Sequence, residues 1–243
     1  MEYALIFAAA VAAYFIKGIT GFGNTLVMAT LVSFVLPNRI ITPVELLISI
    51  PTNLFILWRE RDSVDFKVVL PLAAMLIAGI IPGVFFLKSG NEYILKAVLG
   101  IVCAGLGVDM LLRQSDAMKK ANKAVLATLG LGSGLLVGMY GIGMPLTAYV
   151  SRTTVGKNGF RANICAVFVI DNIVRCALFS ATGMFTAEVW RYALMILPFM
   201  LLGMFIGVKT DKRLSDRAVK HIVALLLVFG GISLAITNII SYF

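Results

Sequence analysis

Tyr3 to Leu36 is an apolar stretch too long for one membrane crossing, with its glycines at the middle. As a single helix it would run about 51 Å, against a hydrocarbon core of about 30 Å. The Gly-x-x-Gly-x-Gly pattern at Gly18, Gly21 and Gly23 recurs at Gly138, Gly141 and Gly143, inside a second long apolar stretch from Ala124 to Ser151. Glycine at that depth predicts a helix break. Cut at the glycines, the first stretch yields Tyr3 to Ile16 and Asn24 to Leu36, each about 20 Å long, so neither arm is expected to reach across. Backbone that leaves the helix inside a bilayer is tolerated only against protein or a watery cavity, because its N–H and C=O groups lose their partners. Glycines can also serve simply to let helices approach closely; their coincidence with over-long segments favours a break.

The rest of the chain is of the same kind. Of 243 residues, 60% are hydrophobic and 14% charged, and the mean hydropathy is +0.98, far from a soluble domain. Eight nearly charge-free elements follow one another: Tyr3 to Leu36, Ile40 to Trp58, Val68 to Leu87, Ala97 to Leu112, Ala124 to Ser151, Ala162 to Thr182, Tyr192 to Val208 and Ile222 to Phe243. The chain therefore reads as an all-α polytopic membrane protein. Met1-Glu2-Tyr3 lacks a basic n-region, so the first stretch is expected to be retained rather than cleaved as a signal. Cys103, Cys165 and Cys176 lie inside apolar segments without metal-site or disulfide spacing, and packing explains them. The net charge of +9 is spread over connections beside apolar spans, which indicates a lipid surface and a topology signal, not nucleic acid.

The glycine pattern is part of a longer internal repeat. Leu26 matches Leu146, Asn53 in the second element matches Asn172 in the sixth, and Gly79 and Gly83 match Gly203 and Gly207. Residues 1–121 and 122–243 thus form two halves of four elements each. If all eight elements cross, the Lys and Arg residues of the connections divide 11 to 8 between the two sides. If the first and fifth are hairpins that return to their own side, the division becomes 15 to 4, with Lys17 and Arg175 left inside the membrane. The positive-inside rule favours the second arrangement, which makes the 15-charge side cytoplasmic and puts both termini outside. Each half then has three crossings, so the two repeats are inverted, each opening with a glycine-broken re-entrant helical hairpin. Their tips are expected near the bilayer centre, where several transporter folds build their site.

At each tip a helix begins just after the glycines, with unpaired N–H groups and the positive end of its dipole directed at one spot. Asn24 is expected to cap the first of these helices, and Pro145, matching Thr25, suits the first turn of the second. An anion is the natural occupant. Lys17 and Arg175 are intramembrane cations, costly enough to imply a role or a partner; Asp171, one turn before Arg175, could be that partner. The residues expected at the substrate are Lys17, Gly21, Gly23, Asn24, Thr25, Asn53, Gly141, Gly143, Met144, Asn172 and Arg175. Asn53 and Asn172 could donate amide hydrogens or bond helix to helix. Pro51 is expected to bend the second element beside Asn53. Asp171 and Glu45 are candidates to carry a proton; Asp109 is a third such acid, but four residues before Arg113 it could simply pair with that residue at a helix end.

The stretches AYFIKGITGFGNTLV and GLLVGMYGIGMPLTAYV, with the four-plus-four organisation, resemble the TauE/SafE family of sulfite and organosulfonate exporters over essentially the whole chain. The resemblance implies a permease of the bacterial inner membrane moving small anions such as sulfite, sulfoacetate or related organosulfonates or organic acids, outward, without a cofactor. A passive anion channel would use the same helix termini and cations. A membrane-embedded enzyme is disfavoured: His221 is the single histidine, no His/Cys/acid cluster has metal-site spacing, and no serine has an evident base. No oligomeric state is assigned.

Overall fold

The computed structural model describes residues 2–112, 123–143, 146–147, 150, 154, 156–210 and 216–242. The described elements are all helical: α1 (Glu2–Thr20), α2 (Asn24–Val32), α3 (Asn38–Arg59), a 3-10 turn (Arg61–Ser63), α4 (Phe66–Ser89), α5 (Glu92–Leu112), α6 (Lys123–Tyr140), α7 (Gly156–Ala181), α8 (Ala187–Thr210) and α9 (Asp216–Tyr242). Seven helices among the described residues are long and apolar enough to span a membrane: α1, α3, α4, α5, α7, α8 and α9. Their outward faces carry large exposed apolar side chains, including Leu194, Leu201 and Phe205 on α8 and Phe229, Ile236 and Ile240 on α9. Water would penalise such faces; hydrocarbon does not.

The helix before the first glycine break is longer than the sequence indicates. α1 extends through Lys17 and Gly18 to Thr20, about 28 Å, which is close to the thickness of the hydrocarbon core. By length and composition α1 suffices to span, where the sequence leads one to expect an arm of about 20 Å. α2 is correspondingly short, with nine residues ending at Val32 rather than Leu36. Gly18 and Gly138 lie inside helices and do not break them. They let helices approach, as small residues commonly do in membranes. α3 continues unbroken through Pro51. Around that proline, Ser49 Oγ donates to Leu46 O at 3.0 Å and Thr52 Oγ1 to Ser49 O at 2.8 Å, local bonds of the kind that let a membrane helix tolerate a proline.

The chain forms two compact units, each with segments from early and late in the sequence: residues 1–45, 89–116 and 187–243 in one, and 46–88 and 117–186 in the other. In the first unit α1 packs along α8 and α5 along α9. A Cβ added at Gly203 would lie 2.9 Å from Val11 Cα, and one added at Gly207 would lie 3.1 Å from Gly18 Cα. α1 and α8 therefore run parallel, with the Phe7 and Phe199 rings stacked at 4.1 Å. On α5 and α9 the order reverses, since Gly100 meets Ala235 while Gly107 meets Ala224. That pair is antiparallel. α2 rests against both, with Thr30 Oγ1 3.3 Å from Cys103 Sγ on α5 and Gly230 of α9 close to the Thr30 methyl group.

In the second unit α4 packs on α6 with glycine facing glycine at two levels. A Cβ added at Gly79 would be 2.8 Å from Gly134 Cα, and one at Gly83 would be 3.0 Å from Gly138 Cα. These contacts reproduce those of α8 on α1 in register. Gly79 meets Leu131 as Gly203 meets Val11, Gly83 meets Leu135 as Gly207 meets Phe15, and Gly83 meets Gly138 as Gly207 meets Gly18. Asn163 of α7 accepts a hydrogen bond from Asp65 N–H at 2.7 Å, while the Asp65 side chain accepts one from Lys67 N–H at 2.9 Å. α4 is thereby capped at its start and tied there to the beginning of α7.

Candidate functional site

The first tip is a helix end, two left-handed glycines and a new helix start. Gly21 and Gly23 both have φ 87°, a region that L residues with a side chain rarely adopt. Gly21 N–H donates to Lys17 O at 2.7 Å, closing the last turn of α1. The Thr20 hydroxyl, 2.9 Å from Ile16 O and 2.7 Å from Phe22 O, occupies the gap and accepts from Phe22 N–H at 3.3 Å. Gly23, not Asn24, is the N-cap of α2, and it provides no side chain for the cap. Asn24 is the first helical residue, and its amide turns away to donate to Glu45 Oε1. The expected Asn24 cap is thus corrected: the side chain prefers a buried carboxylate to the exposed ends of its own helix.

Glu45 gathers the polar groups of this unit. Tyr14 Oη donates to the same oxygen, Oε1, at 3.3 Å. Lys17, one turn beyond Tyr14 on α1, has its ammonium 5.6 Å from the centre of the Tyr14 ring. Lys17 and Glu45 are each only 2% exposed. Charges so deep in an apolar fold are expensive unless they are bonded or used. Thr25 is half-buried in the first turn of α2.

The second tip repeats the backbone. Gly141, φ 74°, donates its N–H to Val137 O at 2.8 Å, and Thr147 N–H reaches Gly143 O at 3.0 Å, as Val27 N–H reaches Gly23 O at 3.4 Å at the first. Gly143 serves a different purpose from Gly23. A Cβ there would lie 2.7 Å from Phe168 Cε1 on α7, so the position is small because an aromatic ring fills the space. Met144 and Pro145 lie outside the described residues.

On α7, Arg175 donates from Nε to Asp171 Oδ1 at 2.7 Å and from Nη2 to Asp171 Oδ2 at 2.8 Å, a bidentate pair one turn apart. Nη2 also lies 3.4 Å from Asn172 Oδ1, which leaves the Asn172 amide hydrogens as the donors it can offer elsewhere. Asp171 is 1% exposed and Arg175 3%. Asn53 is buried on α3. Among the described residues no group of three His, Cys, Asp or Glu side chains is placed to hold a metal ion.

Against this geometry, the profile of the sulfite exporter TauE/SafE family matches residues 6–234. The chain belongs to that family. It is accordingly a membrane transport protein and not an enzyme. The probable sulfite/organosulfonate exporter TauE of Cupriavidus necator is 23% identical over 235 residues, which cover 94% of this chain and 91% of the relative. No solved structure matches the chain.

Within this family member, the structure brings Lys17, Asn24 and Glu45 together in one unit and Asp171, Asn172 and Arg175 together in the other. Two participants have no place in the sequence reading. Tyr14 joins Glu45 to Lys17, and its signal was its spacing, one turn before the intramembrane lysine. Thr20 fills the end of α1, and nothing but its neighbourhood to the glycines marked it.

Proposed function

We propose that the protein is a carrier that exports small sulfur-containing oxyanions, sulfite, sulfoacetate or related organosulfonates, across a bacterial inner membrane. The observation that carries this is the family match from residue 6 to residue 234, joined to a relative whose name specifies sulfite and organosulfonate export. Anion recognition is assigned to the helix starts that follow the glycine breaks, whose N–H groups bind oxyanions without a counter-charge, and to Lys17 and Arg175 as cations. To Asn24, Thr25, Asn53 and Asn172, as polar side chains, we assign selectivity.

The hairpin reading has support in helix directions. If every hydrophobic element crossed, the fourth and eighth, α5 and α9, would run in the same sense; they are antiparallel. Near the start of α5, Glu92 accepts from Asn38 N–H at 2.8 Å, so the chain leaves the first hairpin at that end. α9 is antiparallel to α5, and a short connection separates it from α8, so the start of α8 belongs to the same end. The Tyr3 ring of α1 lies there, 6.4 Å from the Tyr192 ring and tilted to it. Entry and exit of the first hairpin are thus on one side, where exposed Tyr3, Tyr93, Trp190 and Tyr242 would form an interfacial aromatic belt. α6, parallel to α4, and α7, tied by Asn163 to the start of α4, likewise begin at a common end. With the 15-to-4 charge division, these directions favour inverted repeats with both termini outside.

Purified protein in liposomes should exchange labelled sulfite and sulfoacetate with saturable initial rates and show counterflow when unlabelled anion is trapped inside. Flux that rises linearly with concentration and shows no counterflow would make it a channel. Flux absent for both anions would remove the sulfur oxyanions as substrates.

A further inference from the structure

We propose that Glu45 is the proton-carrying group of the transport cycle and that its charge state latches the first glycine tip. The proposal rests on the carrier reading above and names its coupling ion. Glu45 lies seven residues beyond Asn38, about 10 Å along α3 and inside the apolar span. It is bonded from both sides of the break: Tyr14 reaches it from α1 at 3.3 Å, and Asn24 reaches it from the first residue of α2. The non-helical segment Gly21–Gly23 is the hinge between those two donors. One carboxylate oxygen therefore bridges the helices on the two sides of the hinge.

Both of these donors are neutral. An ionised Glu45 accepts from each with the strength of a charge-assisted bond; a proton added to the carboxylate converts one oxygen to a donor and weakens the hold on both. No covalent bond to the substrate changes: the proton adds to a carboxylate oxygen and leaves from it. Because Asn24 belongs to the turn whose N–H groups are assigned to the anion, the proton and the anion act on the same piece of backbone. Thermodynamic reciprocity then couples them, each altering the affinity for the other by the same factor.

Asp171 is built for the opposite purpose. Both its oxygens are engaged by the Arg175 guanidinium, so a proton would forfeit a bidentate ion pair. The titratable groups facing Glu45 from α1 are Tyr14 and, one turn on, the buried Lys17. α2 contributes none, its sequence being NTLVMATLV. On α3 itself the nearest cation is Arg39, whose guanidinium bonds to Gly90 O.

The test uses sulfoacetate, which keeps its charge between pH 6 and 8 and so does not titrate with the protein. In wild-type liposomes at zero membrane potential, a pH difference of one unit should accumulate labelled sulfoacetate on one side by about tenfold for one proton per anion. Glu45→Gln should abolish that accumulation, and the counterflow it retains should no longer vary with pH. Three results would overturn the proposal: wild-type counterflow without pH-driven accumulation, accumulation preserved in Glu45→Gln, or counterflow in Glu45→Gln that keeps the wild-type pH dependence. If Glu45→Gln does not fold, Glu45→Asp keeps an acid one methylene shorter, and its accumulation should shift along the pH axis; an unshifted profile would also overturn the proposal. Absence of any sulfoacetate or sulfite counterflow in the wild type would instead sink the carrier reading and is distinguishable from all of these.

Discussion

The two glycine tips share a backbone and differ in their side chains. Gly21 and Gly141 take the same left-handed turn and donate to carbonyls at matching positions, Lys17 and Val137. The helices that carry them are packed through glycine contacts that correspond residue for residue. Yet the lysine of the first tip is a valine in the second, and Tyr14 corresponds to Gly134. The charged residues of the second unit are elsewhere, on α7, as a closed ion pair. The two breaks thus share what the backbone needs, because a break inside apolar surroundings has few solutions, while their side chains differ. At the first tip a buried acid, Glu45, accepts from Tyr14 and from Asn24. In the second unit the acid lies away from the tip, on α7, bonded to Arg175.

That contrast is most exposed at the ion pair. Removing Arg175 leaves Asp171 buried and unneutralised, a loss of about 3 to 5 kcal/mol when a buried pair is broken on one side. Arg175→Gln and Asp171→Asn should each lower the melting temperature sharply, and the double variant should recover it. If Arg175 also contacts the anion, the double variant will regain stability without regaining sulfite affinity. Recovery of both would confine Arg175 to a structural role and leave Lys17 as the cation of the cycle.

Next in size are the equivalent helix contacts. Gly79→Leu and Gly203→Leu should be destabilising to a similar degree, about 1 to 3 kcal/mol or beyond, because each forces a side chain into facing backbone that cannot yield. Gly132→Leu, where an added Cβ meets nothing within 4 Å, should be near neutral. Unequal losses at positions 79 and 203, measured by chemical unfolding in micelles, would break the symmetry that the matched contacts describe.

The smallest effect separates the second glycines of the tips. Gly23→Ala places a side chain at φ 87° and should cost about 1 to 2 kcal/mol, whatever its neighbours are. Gly143→Ala meets Phe168, so its cost should be relieved by Phe168→Leu. If that second substitution rescues Gly23→Ala equally, or fails to rescue Gly143→Ala, the two glycines do not differ as described.

Much of this protein could be read from residue order. Apolar runs of fixed length, the recurrence of Gly18, Gly21 and Gly23 at Gly138, Gly141 and Gly143, and the position of Lys and Arg beside the spans all depend on local chemistry: hydrocarbon thickness, backbone sterics and charge at an interface. Those are properties a sequence carries in its own periodicity. Which glycines break a helix and which pack against another could not be read there, since Gly18 and Gly21 are alike until a neighbour is specified. Only tertiary structure brings α8 against Gly18 and leaves Gly21 to turn the chain. The same holds for Asn24, a good cap by its type, which gives up that role once Glu45, 21 residues away in sequence, comes within reach. A buried carboxylate outbids a local bond because its desolvation is the larger cost, and which polar groups meet it is decided by how helices pack.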